Sequence, residues 1–270
     1  KNSLFVARQG AESHGKEFIK EAVKKGASCI ISDQELNEEI DIPIYCINNL
    51  EDIVVEILFR FHELSEDDFI FHGVTGTNGK TTTAFMAHNI MRELQKPSVY
   101  IGTLGAIIDD DLMQTKGNTT PGIFELFEIL QTCKLEQKTY VFLEISSHAL
   151  VQKRLCNLPF LQTIILNIQS DHLDYHKTET NYIDAKLSIT NLDNLNPTII
   201  PIDQIQDLLP RLSEAQKEQL LKSNFISAMD PSAPFKYSFV YNPEGSSNIS
   251  INFPSLTYEA SISLFLKFNK

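Results

Sequence analysis

The element that most restricts the fold is the stretch "DFIFHGVTGTNGKTTT", Asp68 to Thr83. An apolar run ends at Val74, small residues and glycines follow, and then Ala84, Ala87, Met91 and Leu94 recur at helical spacing. Strand, glycine loop and helix in that order point to an α/β sheet with parallel strands. Such a loop converges backbone N–H groups on phosphate oxygens, and the following helix adds its positive end. A lysine at the helix start reaches the terminal phosphates, and the next hydroxyl can ligate Mg²⁺. Gly76, Thr77, Asn78, Gly79, Lys80, Thr81 and Thr82 are therefore candidates for holding phosphates. The strict G-x-x-x-x-G-K-[ST] pattern is not met, because position 74 is Val74 and Gly73 lies one residue too far upstream. A chance turn with a lysine at a helix start is the competing explanation, and the strand–loop–helix context weighs against it.

The rest of the chain alternates in the same way. "LFVA" reads as a short buried strand, and "KEFIKEAVKKG" sets Phe18, Ile19, Ala22 and Val23 on one helical face before Gly26 stops it. "SCIIS" and "PIYCI" read as strands, and Leu50, Ile53, Val54, Ile57, Leu58 and Phe61 form a second helical stripe. The acidic "ELSEDD", Glu63 to Asp68, is the best linker. Residues 1–66 are thus expected to be a small, partial α/β domain, and residues 67–270 a P-loop-type central domain. In the latter, "SVYIG", "TYVFLEIS" and "QTIILNI" are near-continuous apolar strands, as in a parallel sheet covered on both faces, and Ile123, Leu126, Phe127 and Leu130 align on a helix. The expected fold class is α/β, with a mostly parallel, doubly wound sheet. "QIQDLLPRLSEAQKEQLL" is helical in part with Pro210 interrupting it, and "KYSFVY", "NISINF" and "SISLFL" read as antiparallel strands near the C-terminus.

At 270 residues the chain is long enough for about two domains. A net charge of −12 argues against a nucleic-acid or membrane-surface partner. No window approaches the apolar run needed to span a bilayer, and no N-terminal signal core is present. The four cysteines lack C-x-x-C spacing; reduced, buried thiols in a cytoplasmic protein are the expectation. The chain starts at Lys1 inside what reads as a strand, so a fragment is expected.

Other residues gain interest from where they fall. Glu144 closes the strand "TYVFLE", and ligands gather at the carboxyl ends of strands in an open α/β sheet; it could hold Mg²⁺ or equally cap the helix in "SSHAL". "NTTPG", Asn118 to Gly122, suits an anionic ligand at a helix start, or a plain N-cap with Pro121 at the first helical position. His172 depends on its neighbours in "NIQSDHLDYH", and His176 reads as structural. Lys186, in "NYIDAKLSI", reads by itself as a solvated charge on a helix.

These segments together resemble the Mur ligase family, which includes folylpolyglutamate synthetase. "GVTGTNGKTTT" is similar to the family's ATP loop, and the likeness covers nearly the whole chain. Members are ATP-dependent enzymes that join a carboxylate to an amine through an acyl phosphate. The resemblance implies that Lys80 with residues 76–82 holds ATP, that Thr81 and Glu144 hold one Mg²⁺, and that His172 and Lys186 hold a second. It implies that Lys186 reacts with CO₂ to give a carbamate, N6-carboxylysine, and that Lys80, His172 and Lys186 are the catalytic residues. "EISSHALVQKR" is typical of the tripeptide-synthetase branch, so Asn118, Thr119, Thr120, Ser147, Gln152 and Arg154 are implied to position the acceptor. That branch adds a diamino acid, meso-diaminopimelate or L-lysine, to UDP-N-acetylmuramoyl-L-alanyl-D-glutamate in peptidoglycan synthesis. "SLFVARQGAESHGKEFI" resembles the family's uridine-binding domain, with His14 where the family has Asp, and Ala11 and Glu12 at the usual polar positions. "LFLKFN" resembles the segment leading into a third domain, so the 270-residue piece is expected not to turn over alone.

Three other readings compete. Folylpolyglutamate synthetase is disfavoured by "EISSHALVQKR" and by the uridine-domain-like segment. A non-catalytic nucleotide-binding fragment stays open, and a generic P-loop ATPase or kinase is disfavoured by the Glu144, His172 and Lys186 pattern. No obligate protein partner is evident.

Overall fold

The computed structural model describes residues 3–10, 13–35, 40–108, 111–135, 140–192 and 194–227, and the backbone of three strands between 235 and 262. Ala11, Glu12 and the "LFLKFN" segment lie outside the described residues. The chain builds two sheets. In the smaller, β1 (Ser3–Ala7), β2 (Ala27–Ser32) and β3 (Ile44–Cys46) run parallel in that order. Helix α1 (Ile19–Lys24) packs Ile19 against Ala7 and Ile30, and Gly26 ends it at φ +101°, a conformation that favours glycine. Phe18 was expected on the buried face but is 49% exposed. It belongs to a 3₁₀ turn, Gly15–Phe18, which does not follow the 3.6-residue period.

Helix α2 (Leu50–Phe61) buries Leu50, Val54, Val55, Leu58 and Phe59; Phe61 instead points to solvent, the buried stripe having passed to Phe59. The linker is ordered by Ser65, which caps a 3₁₀ turn at Glu66–Asp68 through a reciprocal capping box.

The larger sheet begins with β4 (Ile70–Thr75), followed by α3 (Lys80–Glu93), β5 (Ser98–Gly102), β6 (Gly105–Ile108) and β7 (Asp111–Met113). Then come α4 (Ile123–Leu135), β8 (Tyr140–Glu144), α5 (Ser147–Val151), β9 (Phe160–Ile165), α6 (Leu173–His176) and α7 (Glu179–Leu187). The last elements are β10 (Ile199–Pro201), α8 (Glu214–Leu220), β11 (Asn224–Ser227), β12 (Phe235–Tyr241), β13 (Ser247–Phe253) and β14 (Leu256–Ile262). The eleven strands order as β14-β13-β12-β11-β10-β9-β4-β8-β5-β6-β7. The pairs from β12 across to β5 are parallel, and both edges are antiparallel. The antiparallel pair β12–β13 matches the expected "KYSFVY" and "NISINF"; the third strand lies at Leu256–Ile262, ahead of "SISLFL", whose residues 263–266 lie outside the described residues, and the β6–β7 edge was not expected.

Alternating residues of the central strands face opposite cores. Phe71, Val99, Ile101, Val141 and Leu143 join one cluster with α2, α4 and α7, whereas Val74, Tyr100 and Phe142 join a second beneath α3. This is the covered, doubly wound sheet the apolar runs called for. Ile123, Leu126, Phe127 and Leu130 of α4 are each at most 2% exposed. Each such side chain contributes about 1.5–3 kcal/mol of burial. Phe127 meets Phe59 edge-on at 4.8 Å, so α2 is packed into the core of the larger sheet. Of the cysteines, Cys133 and Cys156 are buried, but Cys46 is exposed on β3. Among the described residues, no helix is long and apolar enough to cross a membrane.

Candidate active site

The chain leaves β4 for β5 on one side and β8 for β9 on the other, so a crevice opens at the carboxyl ends of β4 and β8. The glycine loop lies there. Gly79 is the N-cap of α3 at φ +86°, and a Cβ on Gly76 would come within 3.0 Å of the Cβ of Leu166. The Gly79 position therefore favours glycine for its conformation, and Gly76 sits where a side chain would be crowded. The segment after β9 braces the loop. Asn167 accepts from the Asn78 N–H at 2.9 Å and donates back to the Asn78 carbonyl at 3.1 Å. Thr77 binds the Gln169 backbone and lies 2.9 Å from the Tyr182 hydroxyl. Thr82 is exposed on the first turn of α3.

Lys80 folds back into this loop, donating to the carbonyls of Gly76 at 2.8 Å and Thr77 at 3.1 Å. Burial lowers its affinity for a proton, and the charges of Glu144 and Asp171 oppose that.

Glu144 is wholly buried, opposite Val74 in the β4–β8 register. Its Oε1 accepts a short hydrogen bond from the Tyr100 hydroxyl and one from the Thr103 N–H at 3.0 Å. Its Oε2 accepts from Thr81 at 2.9 Å and from the Thr103 hydroxyl at 3.3 Å. Gly102 makes room for this carboxylate, since a Cβ there would collide with it. The helix in "SSHAL" is capped by Ser146, not by Glu144. Burial first, and the hydrogen bond to Glu144 next, push the Tyr100 phenol well above its ordinary value, so it donates at neutral pH.

Lys186 is 1% exposed, where the sequence alone read a solvated charge. Its Nζ donates to Thr75 Oγ1 at 3.2 Å and to the Gly76 carbonyl at 2.9 Å, above the Tyr182 ring. Burial pushes its pKa down to about 7; Lys80 adds to the shift and Asp171 opposes it. Two acceptors match the two N–H groups of a neutral amine.

One cavity of about 330 Å³ joins the loop to the remaining candidates. Lys80, Asn118, Thr119, Ser147, Arg154, His172 and Lys186 all line it. Thr120 and Gln152 stand behind this wall. Thr120 is buried and bonds the Glu144 carbonyl at 2.8 Å and the Ser146 N–H at 2.9 Å. Gln152 donates to Tyr175 at 3.1 Å and accepts from Arg154 at 2.8 Å, and Arg154 also reaches the Thr120 carbonyl at 3.0 Å. His172, at φ +50°, is half-exposed with Asp171 beside it. His176 is buried and bonds Ser147 at 3.0 Å, as a structural histidine does. Among the described residues no three His, Cys, Asp or Glu side chains form a metal-binding group; Thr81 and Glu144, both implied metal ligands, do meet.

Sequence reasoning passed over Tyr100, Thr103 and His148. Tyr100 reads as one more apolar residue of a buried strand; the signal was its hydroxyl, which must find a partner when buried. Thr103 lies in "IGTLG" and His148 in "EISSHALVQKR", both noticed as segments. His148 lines the cavity and lies tilted against the Tyr175 ring, the centroids 4.1 Å apart. In the first sheet, His14 is 2.5 Å from Asp33 and caps the 3₁₀ turn through the Lys16 N–H.

Comparisons with known proteins give the family and the fold. The family profile described as the Mur ligase middle domain matches residues 74–270. A UDP-N-acetylmuramoyl-L-alanyl-D-glutamate–2,6-diaminopimelate ligase of Bacteroides thetaiotaomicron is 36% identical over 209 residues, covering 73% of this chain and 43% of that ligase. A ligase of the same name from Helicobacter pylori is 42% identical over 139 residues, covering 48% of this chain and 31% of the relative. The chain thus spans less than half the length of either. A solved structure of such a ligase superimposes with a TM-score of 0.75 over 97% of this chain and 53% of its own, at 22% identity, a likeness of fold. With that profile matched over most of this chain, the chain belongs to the Mur ligase family.

Proposed function

We propose that the chain carries the ATP and acceptor sites of a cytoplasmic ligase that adds a diamino acid to UDP-N-acetylmuramoyl-L-alanyl-D-glutamate. One observation carries this reading: the phosphate-loop lysine, Lys80, shares a single cavity with Asn118, Thr119, Ser147 and Arg154. The names of the relatives supply the substrate class. Residues 1–66, with β1–β3, are taken as the uridine-binding part and residues 67–270 as the ATP-binding part.

In the proposed reaction the acceptor carboxylate attacks the γ-phosphoryl group, ADP leaves, and the amine then displaces phosphate from the acyl phosphate to give the amide. Lys80 swings from the Gly76 and Thr77 carbonyls to the phosphates, and the N–H groups of residues 76–82 surround them. Arg154 grips the acceptor's anionic groups, and Asn118, Thr119 and Ser147 orient it for in-line attack. Thr120 and Gln152 hold that wall from behind.

The donor set fits Mg²⁺: the Thr81 hydroxyl and the Glu144 carboxylate are hard oxygen ligands already 2.9 Å apart. His172 and a carbamate on Lys186, which line the same cavity, would hold a second ion. Bound Mg²⁺ neutralises the charge that gathers during phosphoryl transfer. The depressed pKa of Lys186 gives it the free amine that CO₂ requires.

Two variants read by equilibrium binding test this division of labour. Lys80→Ala removes Mg-ATP binding and keeps the nucleotide sugar; Arg154→Ala does the reverse. Unchanged binding of both ligands in both variants sinks the reading.

A further inference from the structure

The turn after α5, residues 152–157, carries two non-glycine residues in the left-handed region, Lys153 at φ +47° and Cys156 at φ +50°. Such backbone persists only where its surroundings hold it. Between them sits Arg154, whose guanidinium lines the cavity and bonds Gln152 and the Thr120 carbonyl. Several of the turn's other polar contacts come from the N-terminal part of the chain. Arg8, just beyond β1, donates to the Lys153 carbonyl at 2.8 Å, to the Gln152 carbonyl at 3.4 Å and to Cys156 Sγ at 2.8 Å. Lys153 meets Glu51 of α2 at 3.2 Å, and Asn157 donates to Asp52.

We propose that Arg8 is a positioning residue for acceptor binding: it clamps the strained turn from the first sheet and so holds Arg154 and Gln152 in place. Arg8 does not line the cavity. Its planar fork spans two successive carbonyls of the turn and the Cys156 sulfur at once, a task a single ammonium performs less well. The small sheet thereby supports the acceptor site mechanically as well as through any contact of its own. The acceptor part of this inference rests on the proposed function; the clamp on the turn does not.

The test uses the whole chain. Arg8→Leu is expected to weaken binding of UDP-N-acetylmuramoyl-L-Ala-D-Glu about tenfold, as loss of a charge-assisted bond does, and to leave Mg-ATP binding unchanged. Arg8→Lys is expected to recover part of the loss. Because Arg8 acts through Arg154, the double variant Arg8→Leu/Arg154→Ala binds no more weakly than Arg154→Ala alone. Amide hydrogen exchange of residues 152–157 rises in Arg8→Leu while that of β4 and β8 stays at the wild-type rate. Additive losses in the double variant, or unchanged exchange in the turn, overturn the proposal. If the wild-type chain binds no nucleotide sugar, the substrate reading fails; faster exchange confined to the turn then still upholds the clamp, and unchanged exchange removes that too.

Discussion

Lys80 and Lys186 converge on one oxygen: their Nζ atoms lie 2.8 and 2.9 Å from the carbonyl of Gly76. One belongs to the helix after the loop and the other to α7, and both are withdrawn from water. Two ammonium groups so close repel, and Lys186, the more deeply buried, carries the larger consequence, a pKa near 7.

That shift ties stability to pH. Below about pH 7 both folded and unfolded chains hold the Lys186 proton, and the full penalty of a buried ammonium is present. Between there and the ordinary lysine value of 10.5 only the unfolded chain holds it, so this residue makes stability rise with pH. Replacing Lys186 by Met is expected to flatten that rise. Urea midpoints of both proteins across the window check it, and equal slopes contradict it.

A free amine at neutral pH also captures CO₂. Wild-type protein in ¹³C-bicarbonate is expected to show a carbamate resonance near neutral pH that Lys186→Ala lacks. The same spectrum from both proteins removes the carbamate from the account.

Tyr100→Phe keeps the ring and deletes the donor to Glu144 Oε1. The buried carboxylate then loses one of its partners, which costs about 1–3 kcal/mol. Denaturant unfolding measures it; a change within error means that water or Thr103 replaces the phenol.

Gly102→Ala tests the room left for the same carboxylate. A Cβ there runs into Glu144, which is itself wholly buried. Overpacking of this kind costs about 1–3 kcal/mol, and the unfolding midpoint is expected to fall accordingly.

The sequence announced the centre of the molecule more clearly than its edges, for physical reasons. Phe69–Val74, the glycine loop and α3 are legible because the strand is mostly apolar and two glycines punctuate the loop ahead of a helical stripe. The four aligned residues of α4 follow the helical period faithfully and are all buried. Strands β10 and β11 were overlooked because short parallel strands, one ending in Pro201, carry no alternation to read. Residues His172 and Lys177 take positive φ around α6, which no local pattern encodes. The site was legible as a set of segments; its depth was not. Nothing near Lys186 in the sequence says that the side chain ends under Gly76, and nothing near Arg8 says that it ends on Cys156, because both contacts cross more than a hundred residues.

The most direct measurement is calorimetric titration of the folded chain with UDP-N-acetylmuramoyl-L-Ala-D-Glu, beside a folate ligand, with Arg154→Ala as the control. The account predicts saturable binding of the nucleotide sugar, none of folate, and a marked loss in the variant. Binding of folate in place of the nucleotide sugar, or nucleotide-sugar binding untouched by Arg154→Ala, would contradict it.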